Sequence, residues 1–194
     1  ATDSHRMSIS KVRLNGKIDF EPVILPKKTI FQLLSLLEET SKDIKISNDK
    51  SKIKFEMTNG VLISKVIDGK FPDYSKVIPA NNEKKLETNL NDFKNSMERV
   101  VSVSSDRKEG LKMNISKDFL QLSVNSPNSG EGIENINVKF NSDDMSISFN
   151  SRYLTDISSQ IENDLIIINL KDAASPVLIK DLSDENSFHV VMPM

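Results

Sequence analysis

Hydrophobic and polar positions alternate in short runs along this chain, and three stretches with helical spacing interrupt them. In residues 6–14, Met7, Ile9, Val12 and Leu14 keep a two-residue period with a slip near Lys11, which predicts a strand. Residues 21–25 read as a second, shorter one. Pro26 suits the first turn of a helix, where its missing N–H costs little. The residues after it set Ile30, Leu33, Leu34 and Leu37 on one apolar stripe, with Lys27, Lys28, Gln32, Ser35 and Glu39 on the other face. Strands follow at 44–47, 52–57 and 61–66, the last two joined through Asn59-Gly60, a strong hairpin signal.

The same order then recurs. Residues 84–87 are strand-like, and a helix over 92–101 groups Phe93, Met97, Val100 and Val101. Strands at 111–115, 119–124 and 133–140 come next, with SPNSGEG (126–132) as a polar loop. A third copy opens with a strand at 145–149 and a helix at 151–161, striped by Leu154, Ile157 and Ile161 and capped by Asn150 or Ser151. Strands at 165–170, 177–180 and 189–192 complete it. One β-α-β-β-β unit has too few strands to close a core, whereas two paired units give an α+β domain. The last two copies therefore make one domain, 80–194. The first, 1–79, is half of another, whose partner is expected before Ala1. Between them lies VIDGKFPDYSKVIP (66–79). Gly69, Pro72 and Pro79 exclude a helix there. Its apolar residues, among them Phe71, Tyr74 and Val77, call for burial or a binding surface.

Composition narrows the chemistry. The chain has 26 basic and 28 acidic residues, 37% hydrophobic residues and 28% charged ones, a balance suited to a folded protein that does not demand nucleic acid. The absence of cysteine excludes disulfides and thiolate metal sites, and two histidines leave little for an imidazole site. No run approaches a membrane span, and ATDSHRM lacks the features of a signal peptide. Asp3, Ser4 and His5 hold the residue types of a hydrolase triad, but neighbours on a strand point to alternate faces and cannot form that relay. No Gly-rich phosphate-binding pattern occurs. Asp143-Asp144 reads as a solvated turn. The closing HVVMPM is either a last core strand or a Met-lined groove, since Met adapts to varied apolar ligands.

Four stretches in matching order and spacing, ATDSHRM, GKFPDYSKVIP, FNSRYLTDISSQI and HVVMPM, resemble the bacterial DNA polymerase III beta sliding clamps. The resemblance spans the chain and implies the DNA-clamp fold, repeated units paired into domains with helices on one face of antiparallel sheets. Residues 1–79 would be the second half of a middle domain and 80–194 a C-terminal domain. The implied function is non-enzymatic: a ring homodimer encircles duplex DNA and tethers the replicative polymerase. The chain as given would not close a ring by itself. Such a ring needs a mildly basic lining rather than tight phosphate contacts, for which the candidates are Lys27, Lys28, Lys94, Arg99 and Arg152. A groove between the middle and C-terminal domains would take linear peptides from the polymerase III alpha subunit, the clamp loader, other polymerases and mismatch-repair proteins. Its matching positions are Thr2, Ser4, His5, Arg6, Met7, Pro72, Lys76, Val77, Asn150, Tyr153, Ala174, Pro176, Val190, Val191, Met192, Pro193 and Met194. Met7, Pro72, Val77, Val190, Met192 and Met194 would receive Leu or Phe anchors, and His5, Arg6, Asn150 and Tyr153 would fix the peptide backbone and a Gln-like side chain. Ser4 replaces a usual Gly and Lys76 a frequent Arg, and clamps commonly continue one or two residues past Met194. The resemblance implies no cofactor, no metal, no membrane and a cytoplasmic location. A clamp-fold scaffold without a DNA role is the alternative, and a hydrolase using Ser4 or His5 a third class.

Overall fold

Three helices and twelve strands form among the described residues of the computed structural model, which are 1–15, 20–37, 43–104, 110–127 and 129–194. The first repeat is β1 (Arg6–Ser10), α1 (Lys27–Leu36), β2 (Lys45–Asn48), β3 (Lys52–Met57) and β4 (Gly60–Lys65). The second is β5 (Lys84–Asn89), α2 (Leu90–Val101), β6 (Gly110–Ser116), β7 (Phe119–Ser126) and β8 (Gly130–Asn137). The third is β9 (Met145–Asn150), α3 (Ser151–Ser158), β10 (Leu165–Leu170), β11 (Val177–Asp181) and β12 (Ser187–Val191). The β-α-β-β-β order thus appears three times, in an α+β fold of antiparallel sheets. The chain divides into two compact units, one of Ala1–Val12 with Ser75–Met194 and one of Arg13–Tyr74.

In the larger unit the repeats exchange their first strands. β5 leaves its own repeat to pair with β10, in the five-stranded sheet β1-β12-β11-β10-β5. β9 in turn pairs with β6 in the four-stranded sheet β8-β7-β6-β9. Phe93 and Met97 of α2 and Leu154 and Ile157 of α3 are buried in one core with Leu111, Met113, Leu120, Leu122, Ile166 and Ile168 from the strands. Each such side chain contributes about 1.5–3 kcal/mol of burial. Both helices are capped by side chains: Asn89 accepts the Asp92 N–H at 3.0 Å and Asn150 the Arg152 N–H at 3.0 Å. Of the two caps offered at the third helix, Asn150 is the one used.

The smaller unit contains the sheet β2-β3-β4. Ile53, Phe55 and Met57 of β3 are buried, and Thr29 of α1 shares a 2.7 Å hydroxyl contact with Ser64 of β4. Pro26 sits at the N-cap position in extended conformation, not in the first turn. The expected stripe of α1 is not buried in this unit: Ile30 and Leu34 are exposed, while Leu33 and Leu37 are half-buried. Glu39 lies outside the described residues.

Other expectations shift for local reasons. Residues 21–25 form no strand, only an isolated bridge between Ile24 and Ile67. Pro22 and Pro26 flank that bridge and offer no N–H to extend it. β1 stops at Ser10, where its register on β12 ends opposite Ser187, and Val12 and Leu14 are exposed. Met57 pairs with Gly60, so the β3–β4 turn is centred on Thr58-Asn59, one residue early. Within the segment expected as a polar loop, 126–132, Asn128 lies outside the described residues, and the rest is largely strand. β7 and β8 stay paired to Ser126 opposite Gly130, and Gly130 takes φ 108°, a conformation open to glycine. Gly132 is needed for space, because a Cβ there would stand 3.0 Å from the Val100 carbonyl oxygen. β8 ends at Asn137 and α3 at Ser158, although Ile161 beyond α3 is still buried.

Candidate functional site

The chain start is folded by its own polar side chains. One Asp3 carboxylate oxygen accepts the backbone N–H groups of His5 (3.2 Å) and Arg6 (3.0 Å). The Thr2 hydroxyl donates to the Arg6 carbonyl at 2.9 Å. Between them Ser4 takes φ 74°, in the left-handed region where a Cβ costs about 1–3 kcal/mol and glycine is free. A serine is therefore held where the backbone itself favours glycine.

Out of this turn comes Arg6, the centre of a polar cluster. Its Nε donates to Asp3 Oδ2 at 3.0 Å and its Nη1 to Asp156 Oδ2 at 2.7 Å. The guanidinium lies 4.4 Å from the centroid of the Tyr153 ring, and the His5 ring stacks on the same tyrosine at 6.4 Å with planes 22° apart. Burial works against the charge of Arg6, but the hydrogen bonds to Asp156 and Asp3 outweigh it and raise its pKa. Burial would likewise push Asp3 up, yet the hydrogen bonds from Arg6 and from the His5 and Arg6 backbone hold it below the ordinary carboxylate range. Tyr153 and Asp156 stand three residues apart on α3, spacing that puts both on one helix face.

The C-terminal segment is tied to this cluster. Met192 donates its N–H to the His5 carbonyl at 2.9 Å, and Met194 donates to the Ser148 carbonyl at 2.8 Å. Met7 and Val190 face each other across the β1–β12 ladder. Both are buried, as is Val191, so these three lie beneath the surface rather than walling it. Of the apolar groove candidates in this unit, Met192 (37% exposed), Met194 (70%) and Val77 (48%) are the ones at the surface. Val77 follows a single 3₁₀ turn, Tyr74–Lys76. Pro193 is half-buried. Ala174 is exposed on a turn whose N–H groups are held by Asp172, at 3.0 Å from Ala174 and 2.7 Å from Ser175. Pro176 is half-buried, and its carbonyl accepts from Asn82 Nδ2 at 2.8 Å. Pro72 belongs to the smaller unit, where it is exposed between Phe71 and Tyr74, whose rings meet edge to face.

The candidate DNA-lining cations differ in how free their charge is. Lys27, Lys28 and Arg152 are exposed at helix starts, and Lys27 reaches over the Phe31 ring at 5.4 Å. Lys94 is half-buried on α2. Arg99 is engaged at two points by Glu134, Nε to Oε1 at 2.8 Å and Nη2 to Oε2 at 3.0 Å, which balances its charge. With the Asp3 carboxylate given to backbone N–H groups and Arg6, and the His5 ring to Tyr153, a Ser4–His5–Asp3 relay is not assembled. Asp3 and Asp156 are the cluster members that the sequence reading did not assign to the site. The spacing of Asp156 from Tyr153 was the available signal for one of them.

Residues 75–194 match the family pattern described as DNA polymerase III beta subunit, C-terminal domain, and residues 1–73 match that of its central domain. The whole chain aligns with the beta sliding clamp of Caulobacter vibrioides at 32% identity, covering 52% of that protein. It aligns with that of Rickettsia felis at 35% identity, covering 55%. Among solved structures, a sliding clamp from Bartonella birtlesii bound to griselimycin matches all of the chain with a TM-score of 0.95 at 37% identity, over 53% of its own length. The Caulobacter crescentus clamp matches with a TM-score of 0.96 at 32% identity, over 52% of its length. The chain spans about half the length of these relatives.

Proposed function

The chain belongs to the DNA polymerase III beta subunit family, the beta sliding clamps, and on that premise we propose that it serves as a processivity factor that captures client proteins by a short peptide. The family is non-enzymatic. In this reading residues 1–79 are the second half of the middle domain and 80–194 the C-terminal domain. The complete protein closes as a ring dimer around duplex DNA in the bacterial cytoplasm. Its clients are the polymerase III alpha subunit, the clamp loader, other polymerases and mismatch-repair proteins.

One observation carries the reading. Exposed Met192, Met194 and Val77 accompany an aromatic and cationic cluster of His5, Arg6 and Tyr153, with Met192 bonded directly to the His5 backbone. Flexible Met side chains accept Leu or Phe anchors of varied shape, and the neighbouring polar groups give direction to a bound peptide. Lys27, Lys28, Lys94 and Arg152 supply the mild positive lining, whereas Arg99 adds little net field because Glu134 neutralises it. Weak, sparse phosphate contacts suit a ring that must slide, since each tight contact releases counterions and holds the ring in place.

The test is a titration of a labelled Gln-x-x-Leu-Phe-type peptide against the protein and its Met192→Asp variant. A carboxylate that must lose its water against an apolar anchor weakens binding by about tenfold or more, equivalent to about 1.4 kcal/mol. Equal binding by both proteins, or none by either, sinks the assignment.

A further inference from the structure

We propose that Asp156, with Asp3, is a positioning residue for peptide capture: the two carboxylates hold the Arg6 guanidinium over Tyr153 and so set the aromatic surface that Tyr153 and His5 offer to a ligand. The inference rests on the peptide-site reading above and adds to it two residues that touch no ligand themselves.

The geometry points to Arg6 as a group held in place by its two carboxylates. A guanidinium has five donors in a planar fork. Here Nε donates to Asp3, Nη1 gives one N–H to Asp156, and Cζ stands 4.4 Å from the Tyr153 ring centroid, so the two carboxylates fix where the group sits over the ring. Asp3 is close to Arg6 in sequence, whereas Asp156 is 150 residues from it, so the cluster ties the turn before β1 to α3. Tyr153 packs against the core and also meets the His5 ring and the Arg6 guanidinium. The His5 carbonyl then receives the Met192 N–H, which extends the tie to the exposed methionines. One cation between two carboxylates leaves this corner with a net negative charge. A ligand carboxylate gains little from Arg6 there, and the rings of Tyr153 and His5 are what the cluster offers an uncharged ligand group. Removing Asp156 frees one prong of the fork, lets the guanidinium lift from the ring, and loosens Tyr153 without unpacking the core. Side-chain exposure at Asp156 is 47%, so the change is tolerable to the fold.

The experiment uses the peptide titration on the full chain with Asp156→Ala, Asp156→Glu, Arg6→Gln and the Asp156→Ala/Arg6→Gln double variant, and Met192→Asp as the loss control. Asp156→Ala is expected to weaken binding by about fivefold to tenfold, within the range of coupled neighbours, while its thermal midpoint stays close to that of the parent. Asp156→Glu should recover most of the loss. In the Arg6→Gln background Asp156→Ala should cost nothing further, because the two act as one unit. The Arg6 Nη1 protons, one of which is bonded to Asp156 in the parent, should exchange faster in Asp156→Ala, while the Nε–H bonded to Asp3 should change little. Parent-like binding by Asp156→Ala beside a failing Met192→Asp control overturns this role alone, as does simple additivity in the double variant. Absence of binding by every protein overturns the peptide-site reading and this role with it.

Discussion

At the scale of single residues, the chain repeatedly uses carboxylates to hold backbone N–H groups. Asp3 and Asp172 do so in exposed turns, and Asp181 does so while buried. The Asp181 oxygens accept the Glu162 N–H at 2.9 Å, the Ser183 N–H at 2.8 Å and the Ser183 hydroxyl at 2.6 Å. Burial alone would raise its pKa, but these bonds favour the charged form more strongly and lower it. A folded pKa below the unfolded value of about 3.9 means that the stabilisation is complete above that value. It is lost as pH falls through the folded pKa. Thermal melts of the protein and of Asp181→Asn should therefore differ most near neutral pH and converge below about pH 4. A gap that stays constant down to pH 2 would refute the assignment. Ser4 shows the opposite economy, since its left-handed backbone supports the Arg6 turn at a local conformational cost.

Among the elements, the helices of the larger unit were legible because cap and stripe agree. Phe93, Met97 and Val100 on α2, and Leu154 and Ile157 on α3, follow an asparagine cap and are buried as their spacing demands. The stripe of α1 was legible as a stripe but not as buried surface, since periodicity identifies an apolar face and not what covers it. The exchange of β5 and β9 between repeats could not be read either. Strand order beyond a tight turn depends on partners far away in sequence, and no local pattern encodes it. For the same reason Met7 and Val190 looked like groove walls, whereas their pairing across β1 and β12 buries them both. The closeness of β8 to the end of α2 was equally hidden, and it makes Gly132 a sensitive position. A Cβ there meets the Val100 carbonyl oxygen and Val103 Cγ2, each at 3.0 Å. Gly132→Ala should destabilise the protein by about 1–3 kcal/mol in urea unfolding, more than the entropy saved in the unfolded chain returns. Unchanged or increased stability would show that β8 can move away from α2 at little cost.

At the scale of the whole chain, burial is uneven. In the unit Arg13–Tyr74, Ile53, Phe55 and Met57 are buried, while Ile30, Phe31, Leu34, Ile46, Val61 and Ile63 remain exposed. Amide hydrogen exchange on this chain should accordingly show β2, β3 and β4 opening at lower free energy than β6, β7 and β10. Equal protection in the two sets would contradict it. The family and the paired-repeat architecture were readable from widely spaced motifs, but the carboxylates behind Arg6 were not, because Asp156 is distant from Arg6 in sequence and meets it only in space. The pairing of β1 with β12 also has a consequence for assembly in time. Arg6 lies opposite Val191, so the outer edge of the five-stranded sheet closes only when two distant stretches of chain meet. Such long-range pairing is slow, and it leaves the β1 edge open until it is complete. During synthesis β1 must wait for β12 to leave the ribosome. The arrangement of His5, Arg6 and Met192, held by the β1–β12 ladder and the bond from Met192 N–H to the His5 carbonyl, therefore forms only after β12 has been made.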